Sequence, residues 1–197
     1  MLATKAGADV VVLDGMQGGT AATQTVFIEN VGLPIVVAIG PAVQALQNLG
    51  LHRTVQLIVP GGIRNGADVT KALALGADAV SIGTAALAAL GDNDPAFEAE
   101  YAALGTHAGA YDAWHEGRDP AGITTQDPDL AARLDPVLGS RRLANYLAVL
   151  TLEAQTIARA CGKGHVHNLE PEDLVALTVE AAMARVPLAG TSWIPGQ

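Results

Sequence analysis

Four short runs in the first 91 residues are almost continuously apolar: Ala8–Leu13, Pro34–Ile39, Val55–Val59 and Ala79–Ile82. An uninterrupted apolar run of this length suits a parallel strand covered on both faces, because neither side of it meets water. Gly or Pro follows each run. Apolar positions then recur at helical spacing over Ala21–Asn30, Pro41–Leu49, Ala67–Leu75 and Thr84–Leu90. Gly32, Gly50, Gly76 and Gly91 stand where such helices would end, at the position that favours a left-handed residue. The pattern predicts four consecutive βα units and an α/β fold with a parallel sheet. Two architectures are built this way, the doubly wound sheet and the (β/α)8 barrel, and the barrel needs eight strands and about 250 residues.

The periodicity fades over residues 92–136, which are polar and turn-rich apart from a short helix predicted around Ala96–Leu104. It returns at Ser140–Ala160, where Leu143, Leu147, Leu150 and Ile157 form an apolar stripe. A last helix is expected from Pro171, with Glu172 and Asp173 in its first turn, to Arg185. Trp193 in the tail is expected to pack on the body.

Composition narrows the picture. Half the residues are hydrophobic but only 4% aromatic, which suggests packed Val, Ile and Ala layers. The longest apolar stretch, Val31–Val43, is broken by Gly and Pro and falls short of the ~18 residues of a membrane span. No charged segment with an apolar follower opens the chain, so no signal peptide is expected and the reading is a soluble, cytoplasmic protein. A net charge of −9 disfavours nucleic acid or an anionic membrane as a general partner, while leaving backbone N–H groups free to hold a local anion. The single cysteine, Cys161, excludes a disulfide framework and is expected to be a buried helix residue.

Chemistry concentrates at the ends of the predicted strands. Pro60-Gly61-Gly62-Ile63 and Ser81-Ile82-Gly83-Thr84 close successive βα units, and in a barrel they would be the loops of its usual phosphate site. Glycines there let the backbone approach an anion, N–H groups point at it, and the helix from Thr84 adds its positive end and a hydroxyl. The plainer alternative is a pair of tight turns. Asp14-Gly15-Met16-Gln17-Gly18-Gly19-Thr20 ends the first strand in the same way; Asp14 and Gln17 offer bonds to a ligand, or Thr20 simply caps a helix. His165 and His167, with His107 and His115, lack a partner set for a recognisable metal site, so none is expected. Gly162-Lys163-Gly164-His165 is read as the end of the preceding helix. No P-loop, nucleophile elbow or dinucleotide fingerprint occurs.

Several of these segments, in order, resemble the FMN-binding synthase domain of glutamate synthases. The likeness runs through 12–20, Gly32-Leu33-Pro34, 59–69, 72–77, 82–87, Asp119-Pro120-Ala121-Gly122-Ile123-Thr124-Thr125-Gln126, and Arg142-Leu143-Ala144-Asn145-Tyr146 followed by Glu153. In closer detail the chain is similar to the glutamate-synthase-like subunit of N-methylglutamate synthase. The resemblance implies an oxidoreductase: the C-terminal half of a TIM barrel, about strands 5–8, over residues 1–91, then the family's iron–sulfur segment at 92–136 and closing helices at 137–197.

It also implies FMN, with Gly61, Gly62, Gly83 and Thr84 on the phosphate and Gln17, Gly18, Gly19 and Thr20 along the flavin. Asp14, Gln17 and Thr20 would face the substrate. The reaction would reduce a 2-iminoglutarate-type intermediate to glutamate or N-methylglutamate, from 2-oxoglutarate or glutamate with ammonia or methylamine. Two departures stand out. On the resemblance, the family's three cluster cysteines are matched by Ala108, Trp114 and Asp119, none a thiolate, so no iron–sulfur cluster is expected. The first four barrel strands are missing, so other subunits or a missing N-terminal half barrel are the expected partners. The alternatives are a phosphate-binding barrel of the inosine-monophosphate dehydrogenase kind, and a non-catalytic half barrel or truncated product.

Overall fold

Three parallel strands in chain order make the sheet: β1 (Val10–Val12), β2 (Gln56–Pro60) and β3 (Ala79–Ser81). The computed structural model describes residues 1–18, 25–111, 113–182 and 186. Val10 pairs with Gln56, and Val12 and Ala79 flank Ile58, so these residues share one face of the sheet. Leu57 and Val59 point to the other face and are almost fully buried.

The helices are α1 (Leu2–Lys5), α2 (Thr25–Asn30), α3 (Ile35–Asn48), α4 (Gly66–Ala74), α5 (Thr84–Leu90), α6 (Glu98–Ala103), α7 (Pro128–Ala131), α8 (Pro136–Ala160) and α9 (Val179–Ala182). The core lies between one sheet face and α3 and α4: Ile35, Ile39, Val43 and Leu46 meet Leu57, Val59, Val69, Ala72 and Leu73. The opposite face is not covered by described residues. Val10 is 48% and Val12 60% exposed, so the expected two-sided burial holds for neither edge strand.

The run Pro34–Ile39 is helix, not strand. Its buried residues continue past the run at 35, 39, 43 and 46, spacings of four, four and three, which is the period of a helix face. Pro34 opens α3, and its first N–H, that of Ile35, is accepted at 3.0 Å by the Gln17 side-chain oxygen from the loop after β1. Pro41 sits inside the helix, where it removes one backbone bond, and the buried residues on either side of it hold the helix together.

α8 begins earlier than the apolar stripe predicts, because Asp135 accepts from the N–H groups of Val137 and Leu138 and Pro136 takes the first helical position. Its buried residues are small: Gly139, Ala154 and Ala158, while Leu147 is exposed. Small residues let α8 lie closely along α4 and α5. A Cβ on Gly66 would stand 2.5 Å from the Ala154 nitrogen and 2.6 Å from the Leu150 oxygen.

The helix expected over Pro171–Arg185 breaks up. Glu170 and Asp173 close a capping box around a single 3-10 turn, Leu174 is extended, and helix resumes only at α9. Cys161 is exposed at the end of α8, not buried. Residues 183–185 and the tail with Trp193 lie outside the described residues. No helix among the described residues is long and apolar enough to cross a membrane.

Candidate functional site

The C-terminal ends of the three strands open onto one cleft of about 720 Å³. β1 contributes Asp14, Gln17 and Gly18, β2 contributes Pro60 to Arg64, and β3 contributes Ser81 to Ala85. Of the residues singled out in the sequence, Asp14, Gln17, Gly18, Gly61, Gly62, Gly83 and Thr84 all line it. Gly19 and Thr20 lie outside the described residues. The volume is within the ~300–1,000 Å³ usual for cofactor pockets.

The floor of the cleft is backbone. Gly61 and Gly62 have φ of 98° and 73°, conformations that side chains resist. A Cβ on Gly61 would stand 3.0 Å from the Gly18 nitrogen and 3.5 Å from Asp14 Oδ1, so the β1 and β2 loops touch there through glycine alone. Among the described residues nothing accepts from the N–H groups of Gly62, Ile63, Gly83, Thr84 or Ala85, while that of Gly61 goes into the pairing of Pro60 with Ser81. Five donors without acceptors around one cleft suit an anion bound by backbone rather than by lysine. Among the described residues the one cationic side chain lining it, Arg64, is exposed and lies 3.5 Å from Asp68. Beside these donors stands an apolar wall of Ile63, Ile82, Ala85, Ala88 and Ala89.

Gln17 is only partly available to a ligand. Its carbonyl oxygen is committed to α3, which leaves the amide NH2 as its free group. Tyr146 lines the cleft from α8 and was not among the residues singled out for the site. The sequence signal for it was its phase: Leu143, Tyr146 and Leu150 fall on one helix face, which is the face α8 turns inward.

Residues 92–126 fold around buried polar groups. Asp119 is fully buried and accepts from the N–H groups of Ala121, Ile123 and Thr124 at 2.9, 2.8 and 3.1 Å, and from the Tyr101 hydroxyl at 3.4 Å. Asn93 Oδ1 accepts from Gly109 and Tyr111, and its amide donates to Asp92 Oδ2. Asp92 is 4% exposed, and its Oδ1 and the Trp114 Nε1 are both buried without a partner in hydrogen-bond geometry among the described residues. Burial, and then the charge of Asp119, push the Asp92 carboxyl up to about 6, against the pull of the nearby Trp114 and Asn93 donors.

Trp114 and Asp119 therefore both act on Asp92, while the N–H of Ala108 is held by Glu98. Two carboxylates and an indole do not fit an iron–sulfur cluster, which needs thiolates. Cys161 ends α8 about 28 Å along the helix from Arg142, the residue that pairs with Asp94, near Asp92 in the chain.

The raised value has a consequence for stability. Asp92 binds its proton more tightly folded than unfolded, so its contribution is full at low pH and is lost as pH rises from about 4 to about 6. Asp92→Asn removes this loss. The variant is expected to be more stable than the parent at pH 7.5, on the order of 2 kcal/mol, with the advantage gone near pH 4. Thermal melts at the two pH values check it; an equal difference at both would contradict it.

His165 and His167 serve local structure. His165 Nδ1 accepts from the His167 N–H at 3.2 Å, and His167 Nε2 lies 2.9 Å from the Asp78 oxygen. Lys163 pairs with Asp173 at 3.2 Å and Glu170 at 3.4 Å, tying the end of α8 to the following 3-10 turn. No group of three metal-ligating side chains occurs among the described residues.

Comparison with known proteins adds the family context. A family model described as "Conserved region in glutamate synthase" matches residues 1–95 and 100–164. A glutamate synthase large subunit-like protein of Rhizobium meliloti is 79% identical over the whole chain, which covers 45% of that protein. An archaeal-type glutamate synthase (NADPH) of Thermotoga neapolitana is 42% identical over 84% of the chain, and an archaeal glutamate synthase (NADPH) of Methanocaldococcus jannaschii 43% over 82%. Each of these two is covered only to 29% of its length, so the chain spans less than half of every relative named here. Among solved structures, a flavocytochrome b2 variant aligns with a TM-score of 0.47 at 17% identity, covering 94% of this chain and 38% of that one.

Proposed function

The chain belongs to the glutamate synthase family, and from that premise we propose that its cleft is the FMN phosphate site of a glutamate-synthase-like oxidoreductase. The observation that carries the reading is the set of five backbone N–H groups at 62–63 and 83–85 without acceptors among the described residues, around a cleft of cofactor size. FMN fits this donor set. Gly62 and Ile63, beside Gly61, would hold one side of the phosphate and Gly83, Thr84 and Ala85 the other. The wall of Ile63, Ile82 and Ala85 would shield the apolar part of the cofactor. The Gln17 NH2 and the Asp14 carboxylate would face the flavin and substrate, with Gly18 permitting close approach; Gly19 and Thr20, expected from the sequence along the flavin, lie outside the described residues.

When bound, FMN supplies reversible hydride acceptance, able to take the α-hydride of glutamate and return it to an imine. The donor set at Asp92, Trp114 and Asp119 gives no thiolate relay for outside electrons. The reaction that suits such a protein is redox-neutral: glutamate and methylamine enter, ammonia leaves, and N-methylglutamate is formed through a 2-iminoglutarate-type intermediate. With 2-oxoglutarate and ammonia as substrates the product would be glutamate, and the hydride would have to come from an outside two-electron donor. The exposed sheet face at Val10 and Val12 and the two free strand edges call for further βα units, on this polypeptide or on a partner subunit. Among the described residues three strands, not four, would then be this chain's share of a barrel. The full protein is read as cytoplasmic, by analogy with soluble enzymes of the family.

The reaction is tested anaerobically on the assembled protein, with glutamate and methylamine and no reductant. Repeated turnover to N-methylglutamate is expected. Product that forms only when an electron donor is added would overturn the redox-neutral reading.

A further inference from the structure

The β2–α4 loop is gripped from outside at its far end. The Tyr146 hydroxyl donates to the Arg64 carbonyl at 2.8 Å, and Glu153 Oε2 accepts from the Gly66 N–H at 2.8 Å. These two bonds fall on either side of Asn65, the residue that caps α4. The near end of the loop is fixed by the pairing of Pro60 with Ser81. Between the two ends lie Gly61, Gly62 and Ile63, which line the cleft, the N–H groups of Gly62 and Ile63 without acceptors among the described residues. Gly61 and Gly62 are the softest residues a backbone can hold, so an ordered donor array there needs restraint from its surroundings.

We infer that Tyr146 is a positioning residue for the phosphate loop: its hydrogen bond to Arg64 sets the Gly62 and Ile63 donors in the geometry that binds a phosphate. The inference rests on the proposed FMN site. It concerns a residue that touches the loop rather than the reacting atoms.

The start of α4 does not depend on this bond. Asn65 accepts from Asp68, Asp68 accepts from the Arg64 N–H, and Glu153 holds Gly66. Losing the Tyr146 hydroxyl frees only the Arg64 carbonyl and leaves the α4–α8 seam in place. Burial, followed by the charges of Asp68 and Glu153, pushes the Tyr146 hydroxyl above its ordinary range, so it stays a donor through the neutral pH range.

The test is Tyr146→Phe in the assembled protein, titrated with FMN and, separately, with riboflavin, which lacks the phosphate. Affinity for FMN is expected to fall about 5- to 10-fold, the worth of one net hydrogen bond, with riboflavin affinity unchanged. Equal weakening of both flavins, no change in either, or a variant that no longer folds would overturn the positioning role, since each marks a purely structural or dispensable contact. A parent protein that binds FMN no better than riboflavin would instead defeat the phosphate site itself, and the role of Tyr146 with it.

Discussion

Gly61→Ala is expected to lower FMN affinity about 100-fold while leaving the circular dichroism of the flavin-free protein unchanged. At φ 98° an L-residue carries strain on the order of 1–2 kcal/mol. Its methyl would also stand 3.0 Å from the Gly18 nitrogen, a backbone atom that cannot swing aside as a side-chain tip can. Relief of both costs requires the β1 and β2 loops to separate, and that movement turns the Gly62 and Ile63 donors away from the phosphate. A total near 2.7 kcal/mol corresponds to the expected factor. Gly83→Ala serves as the contrast: nothing lies within 4 Å of its Cβ, so the flavin-free protein should tolerate it without strain. Flavin fluorescence titrations read both. An alanine at 61 that binds FMN as the parent does would mean that the cleft floor is not the binding surface.

Asp119→Ala is expected to lower the melting temperature by about 10 °C. The carboxylate is fully buried and satisfies three N–H groups and a tyrosine hydroxyl, all within the 92–126 region. Deleting it strands those donors, at about 1–3 kcal/mol for each one that finds no water. Relief of the repulsion on Asp92 returns part of the loss, and a net cost of 3–5 kcal/mol at ~2–4 °C per kcal/mol gives the expected shift. The same variant should bring the Asp92 carboxyl back toward the ordinary carboxylate range, because the Asp119 charge is its second cause. A melting temperature within 2 °C of the parent would show that Asp119 does not organise this region.

The cleft was legible in the sequence where backbone chemistry makes it. Gly61-Gly62 and Gly83-Thr84 end strands whose apolar runs are short and bounded, and the loops necessarily open at that end of a parallel sheet. Pro34–Ile39 was not legible, because six apolar residues satisfy a buried strand and a buried helix alike. Only the recurrence at Val43 and Leu46, beyond the run and across Pro41, separates the two. The use of the Gln17 oxygen as a cap for Ile35 depends on a contact between loops, which no local pattern encodes. Tyr146 and Asp92 escaped for a related reason. Their roles arise where α8 crosses the β2 loop and where the 92–126 segment folds back on itself, and a residue's neighbours across such a crossing are set by tertiary packing. Leu147 shows the converse: it fits the apolar stripe of α8, yet the small residues Gly139, Ala154 and Ala158 make the close contact instead.

Whether the strand-end cleft holds a flavin by its phosphate decides what this protein does. Equilibrium titration of the assembled, flavin-stripped protein with FMN and with riboflavin measures this directly. FMN should bind near one per chain and at least tenfold tighter than riboflavin; equal binding of the two, or binding of neither, would contradict it.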